Sequence, residues 1–157
     1  MRWQRDEYEV DTDRARLDLK LVHGWLSGTY WASDRTYEQV VESWSNSYRV
    51  FGLYDTAHDG CLAGFARVTG DGVVFGYVAD VFVVPEHRGR GLGKFVMACL
   101  LDEPDCAKTK NLFLGTRDAH GLYAQYGWAP LERPDRWLMR VAAKQPRNDA
   151  EPDQARR

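Results

Sequence analysis

The stretch Val73–Val84 constrains the fold of this chain more than any other. It is almost wholly β-branched, aromatic or small, with one carboxylate, Asp80, inside it. Such residues pack well on a pleated surface, and a run this apolar predicts a central strand covered on both faces. Pro85 has no amide hydrogen to continue a ladder, so it stops the strand. Gly89, Gly91 and Gly93 then make a flexible turn, and a helix is predicted from about Gly91 to Leu101. A buried strand thus runs straight into a glycine turn and a helix start.

The flanking sequence supplies partners for that strand. Tyr8–Asp13 opens with apolar and acidic residues in alternation, a strand signal. Asp13 is placed to cap a helix from Arg14, with Leu17, Leu21 and Val22 at helical spacing. Ser27-Gly28-Thr29 reads as a loop before Tyr30 and Trp31. Thr36 and Gln39 have the spacing of a capping box and open a second helix through Val40, Val41 and Trp44. Strands are predicted at Tyr48–Tyr54 and Cys61–Val68, joined by His58-Asp59-Gly60, and Gly70-Asp71-Gly72 makes the next turn. After the central helix come a short strand at Asn111–Leu114, a helix at Ala119–Tyr126 closed by Gly127, and a last strand at Trp137–Val141. Antiparallel neighbours followed by strand–helix alternation imply an α/β fold of the α+β kind, a mixed sheet with helices on its faces. Residues 1–142 form the expected domain, and 143–157, polar with Pro146 and Pro152, a disordered tail.

With 157 residues, the chain has the length of one ordinary domain. Its net charge of -2 provides no global basic field, so neither nucleic acid nor a membrane is an expected partner. No apolar run approaches the ~18 residues needed to cross a bilayer. Cys61, Cys99 and Cys106 form no C-x-x-C pair and read as reduced thiols in a cytoplasmic protein. No His, Cys and Asp set has ligand spacing, and no metal is expected. Any anionic ligand must therefore be held by local chemistry.

The glycine turn offers that chemistry. A helix's first turn exposes unpaired N–H groups at the positive end of its dipole. Glycines let such a backbone approach a phosphate closely, and Arg88 and Arg90 add donors. The same turn could also be a plain strand-to-helix connection with solvated arginines. It is not a P-loop, because no lysine followed by Ser or Thr closes it. Nor do glycines at 89, 91 and 93 fit the dinucleotide pattern G-x-G-x-x-G.

Arg88-Gly89-Arg90-Gly91-Leu92-Gly93 resembles the Q/R-x-x-G-x-G/A signature of the GNAT superfamily of N-acetyltransferases. Downstream, Gly121-Leu122-Tyr123-Ala124-Gln125-Tyr126-Gly127-Trp128 is similar to that family's F/L-Y-x-x-x-G-F segment. The short strand lies between the two, as the family has it. The resemblance covers nearly the whole chain and implies the GNAT fold, a mostly antiparallel sheet with a splayed parallel pair in the middle. It implies that the pantetheine arm of acetyl-CoA pairs with strand backbone at Phe82, Val83 and Val84. It also implies that the pyrophosphate meets the amides of Arg88, Gly89, Arg90, Gly91, Leu92, Gly93 and Lys94. The tyrosine equivalent to Tyr123 often serves in the family as general acid toward the departing thiolate, a task suited to a phenol with a pKa of ~10. Packing under the sheet is the alternative for Tyr123, and the one favoured for Tyr126.

The general base is left open by the sequence. The family's usual glutamate position falls at Gly115. Asp80 would be costly to bury unpaired and shares a strand face with Phe82, which makes it a candidate base, alongside an ordered water. It could equally bridge neighbouring polar groups. His120 could act through water, and His87 lies in the turn. Tyr30 and Trp31 are the candidate acceptor contacts, with Arg35 available to an anion on the amine, while Trp25 and Trp44 suit the core. Arg117 and Asp118 either line the cleft or form a surface pair. Cys99 has no evident base, which argues against acyl-cysteine chemistry. The expected activity is acetyl transfer from acetyl-CoA to a primary amine of a small molecule, directly in a ternary complex, by a monomer or homodimer. A non-catalytic acyl-CoA sensor and a peptide or protein N-acetyltransferase are the alternatives.

Overall fold

In the computed structural model, which describes residues 1–141, the long branched stretch becomes β5, Phe75–Val83. It sits in a six-stranded sheet with β1 (Arg2–Arg5), β2 (Tyr8–Asp11), β3 (Arg49–Asp55), β4 (Cys61–Gly70) and β6 (Asn111–Phe113). The strands lie side by side in chain order. All neighbours are antiparallel except β5 and β6, which run parallel. The mixed sheet expected from the sequence is therefore present. Its parallel pair lies at one edge of the described sheet rather than in the middle.

Helices cover both faces, because the strands alternate. Phe51 and Leu53 on β3 enter one core with Ala66 and Val68 on β4 and Leu92, Val96 and Leu100 of α3 (Leu92–Asp102). Val50 and Phe65 point the other way, into a second core with α1 (Leu19–Ser27) and α2 (Tyr37–Ser45). Each large side chain buried this way contributes roughly 1.5–3 kcal/mol. Two short helices, α4 (Pro104–Lys108) and α5 (His120–Ala124), flank β6 in sequence.

The capping box at Thr36 and Gln39 forms with both of its bonds. Asp13, by contrast, caps only a short 3-10 turn, Arg14–Arg16, after which Leu17 is extended. Asp18 then caps α1, accepting from the amides of Lys20 and Leu21. Two elements differ from expectation. β1 pairs with β2 although Arg2–Arg5 carries little strand propensity, so the hairpin partner supplies what the side chains do not. The strand expected at Trp137–Val141 is absent, and that segment makes no ladder. Trp137 instead packs its ring 4.6 Å from that of Phe113, while Leu138 is 97% exposed. The tail expected at 143–157 lies outside the described residues.

Two irregularities of β5 open a slot beside it. β5 pairs with β6 only over Phe75–Tyr77, so among the described residues no strand flanks it on that side from Val78 onward. On its other side the register jumps, with Ala79 opposite Arg67 but Phe82 opposite Phe65. Asp80 and Val81 thus face the single residue Ala66, a bulge, and Asp80 takes a φ of 55°.

Candidate active site

Two cavities occupy this slot and meet at Trp31, Val81, Ala119 and Tyr123. The first, about 430 Å³, runs from Phe82 and Val83 on β5 to the glycine turn and the start of α3. Gly91 is the N-cap of α3 with a φ of 72°, and no side chain caps the helix. A left-handed residue there would cost a side chain roughly 1–2 kcal/mol, which is why glycine fits. The uncapped amides of the first turn are consequently available to an anion. Arg5 holds the turn from behind, donating to the carbonyls of Arg90 at 2.9 Å and Gly91 at 3.2 Å.

The residues singled out from the sequence separate here into two groups. Phe82, Val83, Arg88, Gly89, Gly91, Leu92, Gly93 and Lys94 line the first cavity. Arg88 also donates from Nε to the carbonyl of Val83 at 2.8 Å and lies over the Phe82 ring. Arg90 and Val84 do not line it. The Arg90 guanidinium donates to the Tyr8 hydroxyl at 2.9 Å, and the Val84 amide donates to the Ala63 carbonyl at 2.9 Å. His87 likewise turns inward to Tyr8, with its Nδ1 2.9 Å from the hydroxyl. Trp25 stacks on Phe82, with centroids 5.7 Å apart, and forms part of the wall behind the strand.

Tyr123 stands on α5 at the junction of the cavities, half-buried. Burial pushes its phenol above the ordinary value near 10, and Tyr30, Asp118 and Tyr77 push the same way. The helix beneath it is held by two bonds. Trp128 donates from Nε1 to the Leu112 carbonyl at 3.1 Å, and the Tyr126 hydroxyl donates to the Lys94 carbonyl at 2.8 Å. The second bond ties the turn that follows α5 to the first turn of α3, so Tyr126 does more than pack.

The second cavity, about 520 Å³, is polar. On its floor the Asp80 carboxylate, 2% exposed at the side chain, accepts through Oδ2 from Arg67 Nε at 2.6 Å and Arg35 Nη1 at 2.7 Å. Arg67 also reaches Ser47 Oγ at 3.3 Å. Tyr30 and Trp31 contact each other edge-to-face at 5.0 Å and form one wall. The Tyr30 hydroxyl accepts from the Arg117 amide at 3.1 Å, and the Arg117 guanidinium lies 3.7 Å over the Tyr30 ring. Arg117 and Asp118 do line the cleft, paired at 3.3 Å. Gly115 lines it too and brings no carboxylate, while His120 is not among the lining residues. Arg67 was missed by sequence reasoning. Its signal was a lone charge inside the apolar strand Cys61–Val68, the mirror of Asp80 in β5.

Known proteins share the family and the fold. The model of the acetyltransferase (GNAT) family matches residues 5–128. An acetyltransferase-like protein of Gibberella zeae is 31% identical over 115 residues, 62% of this chain and 64% of that protein. An uncharacterized N-acetyltransferase of Prochlorococcus marinus is 35% identical over 100 residues, 61% of this chain and 54% of its own length. The chain thus spans less than two thirds of either relative. The crystal structure of a GNAT-family protein from Xanthomonas campestris pv. campestris superposes with a TM-score of 0.81 at 39% identity, covering 88% of this chain and 96% of that one. N-acetylglutamate synthase from Neisseria gonorrhoeae, solved with coenzyme A and N-acetyl-glutamate, shares the fold alone, with a TM-score of 0.62 at 19% identity over 79% of this chain and 28% of that one.

Proposed function

The chain belongs to the GNAT family of acetyltransferases, and from that premise we propose that it moves an acetyl group from acetyl-CoA to a primary amine of a small molecule, directly in a ternary complex. The observation that carries this reading is the meeting of an anion-binding groove and a polar cavity at one tyrosine, Tyr123. Uncapped amides at the start of α3 and the unpaired edge of β5 suit the diphosphate and the pantetheine arm respectively. When bound, acetyl-CoA supplies a thioester: the amine nitrogen bonds to the acyl carbon, the C–S bond breaks, and its electron pair leaves on sulfur.

The chain's own residues do the rest. Tyr123 gives its phenolic proton to the departing sulfur and regains one from solvent. The raised pKa keeps that proton in place at neutral pH. The bulge at Asp80 and Val81 interrupts the ladder with β4, and a backbone amide of this part of β5 polarises the thioester oxygen. Asp80 has its Oδ2 held by two guanidinium groups, so we assign it to positioning Arg35 and Arg67, and the ammonium proton passes to water in the open cleft.

The test is twofold. Coenzyme A should raise the melting temperature, since a ligand specific to the native state must stabilise it. Acetyl-CoA should release thiol only when a suitable amine is present. Binding without turnover across an amine panel would favour a sensor, and no stabilisation by coenzyme A would remove the reading altogether.

A further inference from the structure

We propose that the acceptor amine carries a carboxylate, received in the polar cavity by Arg35 and Arg67; this rests on the acetyl-transfer reading above. Two guanidinium groups converge on a single oxygen of Asp80, and both line the polar cavity. The cavity lining holds Arg35, Arg67 and Arg117 against Asp80 and Asp118, which leaves one positive charge in excess. That surplus matches one carboxylate. A phosphate group, at about -1.5 to -2, would overfill it, and a polyamine would add to it.

The donors are also in supply. A guanidinium has five N–H groups in a planar fork that matches the two oxygens of a carboxylate. Arg67 uses Nε for Asp80 and one Nη1 hydrogen for Ser47, and Arg35 uses Nη1 for Asp80. Their remaining hydrogens have no partner among the hydrogen bonds of the described residues. Arg67 is 9% exposed and cannot turn away to solvent, so an anion entering the cavity meets a donor already in place. Asp80 thus aims the two arginines rather than neutralising them fully. Arg117, stacked on Tyr30, also lines the cavity.

The experiment compares amino acids with their matched amides, their aminophosphonate counterparts and simple diamines, reading coenzyme A release. The carboxylate form should be favoured in kcat/KM by about a hundredfold over the amide, as lost charge-assisted bonds would require. Arg35→Gln should reduce that preference about tenfold through KM, with kcat little changed, and Arg35→Lys should restore part of it. Arg35 is chosen because Arg67 is buried and its removal threatens folding; coenzyme A stabilisation of each variant checks that the fold and first cavity survive. Equal turnover of amides, phosphonates or diamines overturns the proposal, as does an Arg35→Gln variant that keeps the full preference. Intact coenzyme A binding with no amino acid acetylated overturns it too, and absence of coenzyme A binding by the wild type overturns both it and the acetyl-transfer reading.

Discussion

Asp80→Ala removes the one acceptor that Arg35 and Arg67 share, and its cost follows from the burial of each partner. Both bonds are charge-assisted, at 2.7 and 2.6 Å. Arg35, with its side chain 22% exposed, can swing toward water and recover much of its loss. Arg67, at 10%, cannot, and an uncompensated buried charge typically costs about 3–5 kcal/mol. Position 80 adds a smaller penalty, because its φ of 55° suits Asp or Asn better than Ala. The expected loss is therefore about 3–5 kcal/mol in urea unfolding. For a chain of this size each kcal/mol lowers the melting temperature by about 2–4 °C, so a fall of roughly 6–20 °C is expected. Asp80→Asn keeps an oxygen acceptor and the backbone tolerance and should lose less. Arg67→Met combined with Asp80→Asn should recover a good part of the Ala loss, since the stranded charge is gone. A loss below about 1 kcal/mol for Asp80→Ala would mean that Arg67 reaches water without it, and the positioning role of Asp80 would be untenable.

Tyr123→Phe should lower kcat by about 10²–10⁴-fold while coenzyme A stabilises the variant as well as the wild type; unchanged turnover would dismiss Tyr123 as the acid. The pH profile should rise as the acceptor amine loses its proton and fall only above the ordinary phenol value near 10, because the raised Tyr123 pKa preserves the acid form; a fall centred well below that would contradict the assignment. Gly91→Ala forces a side chain into a φ of 72° at the mouth of the groove, and a strain of roughly 1 kcal/mol carried by the binding conformation should weaken coenzyme A about fivefold by calorimetry. Burial pushes the thiols of Cys99 and Cys106 up to about 12, so a neutral thiol reagent should modify Cys61 alone until the protein is unfolded; rapid labelling of either buried thiol would show that the α3 core opens readily.

How much of this could be read from the sequence depends on the range of the interaction. Local chemistry was legible: Thr36 and Gln39 make their capping box, Pro85 stops β5, and Gly91 starts α3 in the left-handed region that only glycine enters cheaply. Partnerships between distant segments were not. β1 exists because β2 is there to pair with it, and nothing in Arg-Trp-Gln-Arg announces that. Trp137–Val141 has strand-like composition but no ladder, since composition says which residues tolerate a strand and not which edge will accept one. Arg90 was read as a phosphate donor from its place in the turn, yet Tyr8, far away in sequence, claims its guanidinium.

The bulge at Asp80 shows why the polar cavity in particular was hidden. Along β5, Val78, Val81 and Val83 face the α3 core, while Ala79 pairs with Arg67 and Phe82 meets Trp25 on the opposite face. Strict alternation would send residue 80 into the α3 core, where a carboxylate would be unpaired. As the extra residue of the bulge, with its φ of 55°, Asp80 is turned instead onto the face of Arg67 and Arg35. The same extra residue interrupts the ladder with β4 beyond the point where β6 has left the other side, close to where the two cavities meet at Val81. One inserted residue therefore places the arginines' anchor and breaks the ladder together. A sequence shows a charge in an apolar strand at either end of this pairing, at positions 67 and 80, but only the register joins them.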